Sequence, residues 1–117
     1  MASFVQLNAQ AATLEPAKYV VMSKDGVTPR FFEIAFVNGG NRLYEIKGNP
    51  GDYTRHTCNV RVQEYVLWRL TSSPKTHIAL YGKHAKFCGA CDSPLTHARS
   101  LACGMGPKCA PKWGVKW

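Results

Sequence analysis

Five cysteines stand in a chain of 117 residues, and four of them, Cys88, Cys91, Cys103 and Cys109, fall within 22 positions. Thiols packed this densely are expected to be joined by disulfides or held on a metal rather than to be unrelated. Those alternatives impose different folds. A disulfide framework requires an oxidising compartment. The N-terminus, Met1 to Ala12, has neither the basic start nor the long apolar core of a secretory signal, so the expected location is cytoplasmic and the thiols are expected to be metal ligands. The spacing fits: Cys88-Gly-Ala-Cys91, eleven residues, Cys103, five residues, Cys109. A C-x-x-C pair places two thiolates on one tetrahedral ion, and the small residues between them let backbone amides face the sulfurs.

Gly104-Met105-Gly106-Pro107-Lys108 precedes Cys109 and frees the backbone to return a distant sulfur to the ion. Zinc fits a four-thiolate sphere best, and an iron–sulfur cluster, which would colour the protein brown, is the alternative. Cys103 is the best candidate for the fourth ligand, with His84 and His97 as rivals. Cys58 reads as a buried small hydrophobe. A closed sphere leaves no position for an activated water, so the ion is expected to be structural.

Charge follows the same division. Residues 1–64 carry seven basic and six acidic side chains, whereas residues 65–117 carry eight basic ones and a single acid, Asp92. Nearly all of the net charge of +8 therefore belongs to the C-terminal half. Such an excess attracts polyanions over long range. Lys83, Lys86, Arg99, Lys108, Lys112 and Lys116 surround the cysteines and are candidate nucleic-acid contacts. Trp117 is a candidate for stacking on exposed bases. Trp113 is expected to pack over the metal site.

Upstream, periodicity outlines a small core. Tyr19–Met22, Arg30–Val37 and Arg42–Lys47 are rich in aromatic and β-branched residues or alternate as strands do. Asp25-Gly26 and Asn38-Gly39-Gly40 supply turns, and the three strands are expected to form an antiparallel meander ended by Gly48-Asn49-Pro50-Gly51. From Val60 to Leu70, apolar Val62, Val66, Leu67 and Leu70 recur at helical spacing. A second short helix is expected from Pro74 to Tyr81, with Gly82 as its C-terminal glycine.

The fold class expected is α+β: a small antiparallel sheet, one or two helices and a C-terminal zinc knuckle of treble-clef or ribbon type. The chain divides into a flexible or loosely docked arm at 1–16, a core at 17–82 and a basic zinc-binding module at 83–117. No apolar run is long enough for a membrane span. No P-loop, Gly-x-Ser-x-Gly or His-Glu-x-x-His motif is present, the carboxylates are isolated in sequence, and neither an enzyme activity nor a small-molecule substrate is expected.

Cys88-Gly-Ala-Cys91, Pro94-Leu95-Thr96, Ser100, Gly104-Met105-Gly106-Pro107-Lys108-Cys109 and Lys112-Trp113-Gly114 together resemble the C-terminal motif of a family of small phage and prophage proteins, the domain of unknown function DUF6011. Leu80-Tyr81-Gly82-Lys83 is similar to the segment that precedes its first cysteine. The resemblance implies that Cys88, Cys91 and Cys109 are metal-ligand positions and that Gly104, Gly106 and Pro107 form the turn presenting the last. Cys103 occupies a position that varies in the family pattern. The resemblance also implies a phage or mobile-element origin, but no activity. Two functions are compatible with these features: a zinc-stabilised accessory protein that binds nucleic acid with low sequence specificity, or a phage protein that binds and inhibits or redirects a host protein of the transcription, nuclease or defence machinery.

Overall fold

Tight turns set the sheet. Asn38 and Gly39 adopt φ of 52° and 82°, the paired positive values of a two-residue hairpin turn, between β2 (Pro29–Val37) and β3 (Gly40–Asn49). Strand β1 (Ala17–Met22) joins β2 through the Asp25-Gly26 turn, where the Asp25 carboxylate accepts from the Ser23 hydroxyl and the Val27 amide. Hydrogen bonding to Ser23, then to Val27, holds that carboxyl below its ordinary range. The computed structural model describes residues 4–117, with side chains from residue 6 onward.

Its architecture is α+β: a four-stranded antiparallel sheet in the order β1-β2-β3-β4 with helices packed against it. The fourth strand, β4 (Asp52–Thr57), corrects the expected three-stranded meander. Pro50-Gly51 does not end the sheet but turns it, with Gly51 at φ 87° and Asn49 paired to Asp52. Strand β4 escapes pattern reading because Asp52-Tyr53-Thr54-Arg55-His56-Thr57 is polar on both faces. Charged and polar side chains of this kind also protect a sheet edge from pairing with another chain.

The segment read as a flexible or loosely docked arm is helical and packed where it is described. Residues 1–3 lie outside the described residues, but Phe4–Ala12 forms helix α1. Leu7, Ala11 and Leu14, spaced by four and three, are buried in the main core. Asn41 of β3 donates from Nδ2 to the carbonyls of Ala11 (3.2 Å) and Leu14 (2.9 Å), tying the end of the helix to the sheet.

The sheet is covered on both faces. Tyr19, Val21, Phe32, Ile34 and Leu43 join Val66, Leu67 and Leu70 of α2 (Val60–Ser72) in the main core. Asn59 caps that helix, its side chain accepting from the Val62 amide at 2.9 Å. Val20 and Ile46, on the opposite face, pack with Tyr81 of α3 (Pro74–Ala85). Full burial of each large apolar side chain contributes about 1.5–3 kcal/mol.

Gly82 does not end α3, which continues to Ala85 and is capped by Lys86 at φ 62°. Instead, Gly82 marks a backbone crossing: a Cβ there would lie 1.7 Å from the Gly104 carbonyl oxygen. Gly104, at φ 83°, follows helix α4 (Ala98–Cys103) and lies equally close to Ala79. This crossing fixes the C-terminal segment against α3. The segment after residue 83 shares the core of the sheet, because Cys88, Leu95, Met105 and Ala110 belong to the same buried cluster as Phe32 and Leu67.

Candidate metal centre

Residues 86–95 form a small hairpin. Phe87 bridges Pro94, the Cys88 amide donates to the Ser93 carbonyl at 2.9 Å, and the Leu95 amide donates to that of Lys86 at 2.9 Å. Its tip carries Cys88 and Cys91. The tip lies directly on the sheet: the Lys18 amide of β1 donates to the Gly89 carbonyl at 2.9 Å, and a Cβ on Gly89 would lie 2.3 Å from the Lys18 carbonyl oxygen. Only glycine fits that contact. From the other side, Gly104 turns the chain after α4, fully buried Met105 anchors it, and an Ala110-to-Gly106 hydrogen bond of 2.9 Å closes the turn presenting Cys109. A 3-10 turn, Pro111–Trp113, follows, and Trp113 packs edge-on against Tyr19.

The Sγ atoms of Cys88, Cys91 and Cys109 all lie within 4.8 Å of one another. Cys88 is buried, Cys109 half-buried and Cys91 exposed, so the group opens to solvent on one side. Among the described residues these three form the group of donors suited to one metal ion. As free thiols they compete for protons. Burial, then the neighbouring Cys91 and Cys88 thiols, pushes Cys109 up to about 12. Burial opposes ionisation of Cys91 too, but hydrogen bonds from Ser93 and then from the other two thiols bring it below its ordinary value. Cys91 and Cys109 therefore titrate as a coupled pair. A divalent cation among the sulfurs favours all three thiolates and removes that competition.

The other expected ligands lie elsewhere. The Cys103 thiol donates to the carbonyls of Met105 (3.2 Å) and Ser100 (3.9 Å). His97 caps α4, its Nδ1 accepting from the Arg99 amide at 3.1 Å, and its ring lies 5.1 Å from that of Trp117. His84 lines a separate cavity with Phe31, Tyr53 and Tyr81.

Residues 78–114 match the model of a family of unknown function, DUF6011. The match covers about a third of the chain and takes in all three clustered thiols, α4 and the Gly104–Pro107 turn. Comparison with the curated proteins and with the solved structures returned no match.

Lys83, Lys86, Arg99, Lys108, Lys112 and Lys116 are all exposed, and among the described residues none lies within ion-pair distance of a carboxylate. Trp117 is half-buried: its indole N–H donates to Ser100 Oγ at 2.9 Å, and the Arg99 guanidinium lies 5.4 Å from its ring centre. That guanidinium and the indole make one cationic, aromatic surface on α4.

Sequence reading missed the charge network beside the hairpin. Asp92 takes two 2.8 Å hydrogen bonds from Lys18, Lys18 lies 3.8 Å from Glu33, and Glu33 receives Arg55 at 2.7 and 3.2 Å. With Tyr53 and Phe87 these groups line a cavity of about 610 Å³. The Tyr53 hydroxyl, bonded to that of Tyr81, is pushed up to about 12 by burial and then by Asp92 and Glu33. Lys18 and Asp92 are 74 residues apart, so no local pattern announces their contact. Among the described residues no helix is long and apolar enough to cross a membrane.

Proposed function

We propose that this chain is a zinc-stabilised, non-enzymatic accessory protein that binds nucleic acid with low sequence specificity. The observation that carries the reading is the state of charge in the C-terminal half. Its one acid, Asp92, is engaged by Lys18 of the sheet, while those six cations of the same half have no carboxylate partner among the described residues. Desolvating a cation that already has an anionic partner gains little on binding phosphate, whereas unpaired surface cations release counterions from the polyanion. The all-sulfur donor set favours zinc, which holds the backbone carrying those cations. The resemblance to phage and prophage proteins supports a role in the cytoplasm of an infected cell.

Fluorescence anisotropy with labelled single-stranded DNA tests this reading. Binding at low salt is expected, with affinity falling steeply as salt rises, and heparin competing. An unchanged anisotropy at low salt would refute it.

A second reading, capture of a host protein, is favoured by one feature of α2. Trp68 is 60% exposed beside Tyr65, and Arg69 lies over the Tyr65 ring. Exposed aromatic and arginine side chains are what protein interfaces bury at their centres. A specific partner retained after nuclease treatment, and lost on Trp68→Ala, would favour this reading over the first.

A further inference from the structure

We infer that the metal centre takes three donors from this chain and leaves its fourth position to an exchangeable ligand from outside it, a position that a monodentate imidazole can fill. The inference rests on the metal reading above and concerns the part of the coordination sphere that the chain does not fill. Zinc takes four donors in a tetrahedral array, and sites with three protein ligands keep one position exchangeable.

Among the described residues the group holds no fourth Cys, His, Asp or Glu donor, and the other candidate side chains lie outside it. Cys103 points its thiol at the carbonyls of Met105 and Ser100. Its backbone cannot readily swing inward, because the next residue, Gly104, is pressed against Ala79 and Gly82. Asp92 adjoins the ligand Cys91, yet both carboxylate oxygens are held by Lys18 at 2.8 Å. His97 uses Nδ1 to cap α4 and lays its ring against Trp117. His84 belongs to the cavity beside Tyr81, His56 bonds the Thr54 hydroxyl in β4, and His77 is buried in α3 with Nδ1 on the Ser73 carbonyl. Cys58 packs against the main core. Residues 1–5 contain no Cys, His, Asp or Glu.

The open side of the group also has a direction. Cys88 is buried and Cys109 half-buried, whereas Cys91 is exposed, so an incoming donor approaches past Cys91 and the Ser93 hydroxyl, 3.3 Å from its sulfur. A thiolate or an imidazole nitrogen has the donor character that zinc accepts beside three sulfurs.

Cobalt(II) loaded into the full chain in place of zinc makes the coordination visible, and imidazole is the probe. Two results are expected together. Cys103→Ser leaves the sulfur-to-cobalt charge-transfer intensity unchanged and the cobalt affinity within about threefold of the parent. Imidazole shifts the cobalt d–d bands along a saturable curve. Loss of about a quarter of the charge-transfer intensity in Cys103→Ser would show a four-thiolate sphere and overturn the inference. A d–d spectrum indifferent to imidazole would overturn it as well. Failure of the parent chain to bind cobalt or zinc at all would instead remove the metal reading on which it rests.

Discussion

The two halves of the molecule differ in how much of their charge is paired. In the sheet, Arg30 is clamped by Glu45 at 2.9 and 3.0 Å, Arg55 by Glu33, and Lys18 by Asp92, so three of the five strand cations end in carboxylates, while Arg42 and Lys47 of β3 do not. In the C-terminal half Lys83, Lys86, Arg99, Lys108, Lys112 and Lys116 face solvent without such partners among the described residues. The network even removes the acid that belongs to the C-terminal half by sequence, since Asp92 reaches across to Lys18. Pairing suits a surface that holds strands in register. Its absence suits a surface that meets a polyanion. The C-terminal segment joins the same apolar core through Leu95, Met105 and Ala110 and adds a glycine crossing against α3.

The largest effect that would break this comparison comes from the sulfurs. Cys88→Ser is expected to abolish metal binding and unfold the C-terminal segment, because metal binding in small thiolate sites supplies about 10 kcal/mol or more of folding free energy. Metal content and circular dichroism check it, and a folded, metal-free variant would contradict it. Next is Gly82→Ala, whose methyl group would enter the Gly104 backbone. A loss of about 3 kcal/mol is expected in urea unfolding, at the upper end for overpacking, because backbone rather than side chain must yield. A loss below about 0.5 kcal/mol would deny the crossing.

Charge reversal then sharpens the contrast directly. Lys108→Glu with Lys112→Glu is expected to weaken single-stranded DNA binding by about tenfold or more and to reduce the salt slope by about two. Lys24→Glu with Lys47→Glu, in the sheet half, is expected to change affinity much less. Equal losses would mean that net charge, not its placement, governs binding.

The smallest effect concerns pH. Hydrogen bonding to Arg30 holds the Glu45 carboxyl below its ordinary value of 4.5. A carboxylate with a depressed folded pKa stabilises the fold above its unfolded value and loses that contribution as pH falls through the lower, folded one. Acid titration below pH 4.5 should therefore cost below about 1 kcal/mol through this partly exposed pair, an increment that Glu45→Gln removes.

What the sequence made legible was local. Asn38-Gly39 announces its hairpin because few other residues accept paired positive φ, and Val62, Val66, Leu67 and Leu70 announce α2 by their spacing. The Cys88 and Cys91 pair and the turn before Cys109 are legible for the same reason. Strand β4 was hidden by an edge sequence that is polar on both faces, and α1 by a buried stripe of small and sparse residues, Leu7 and Ala11. Cys103 sits close in sequence to the ligands yet outside their group, because α4 and the Gly104 crossing direct its thiol away. Spacing constrains which residues can meet; the path of the backbone between them decides which do.

The central claim is that the metal site and the basic surface act as one unit. It is tested most directly by adding a strong chelator to the zinc-loaded protein bound to labelled single-stranded DNA. Loss of binding together with loss of C-terminal order, both restored by zinc, is the result expected. Binding that persists with the same affinity and salt slope after the metal is removed would contradict it.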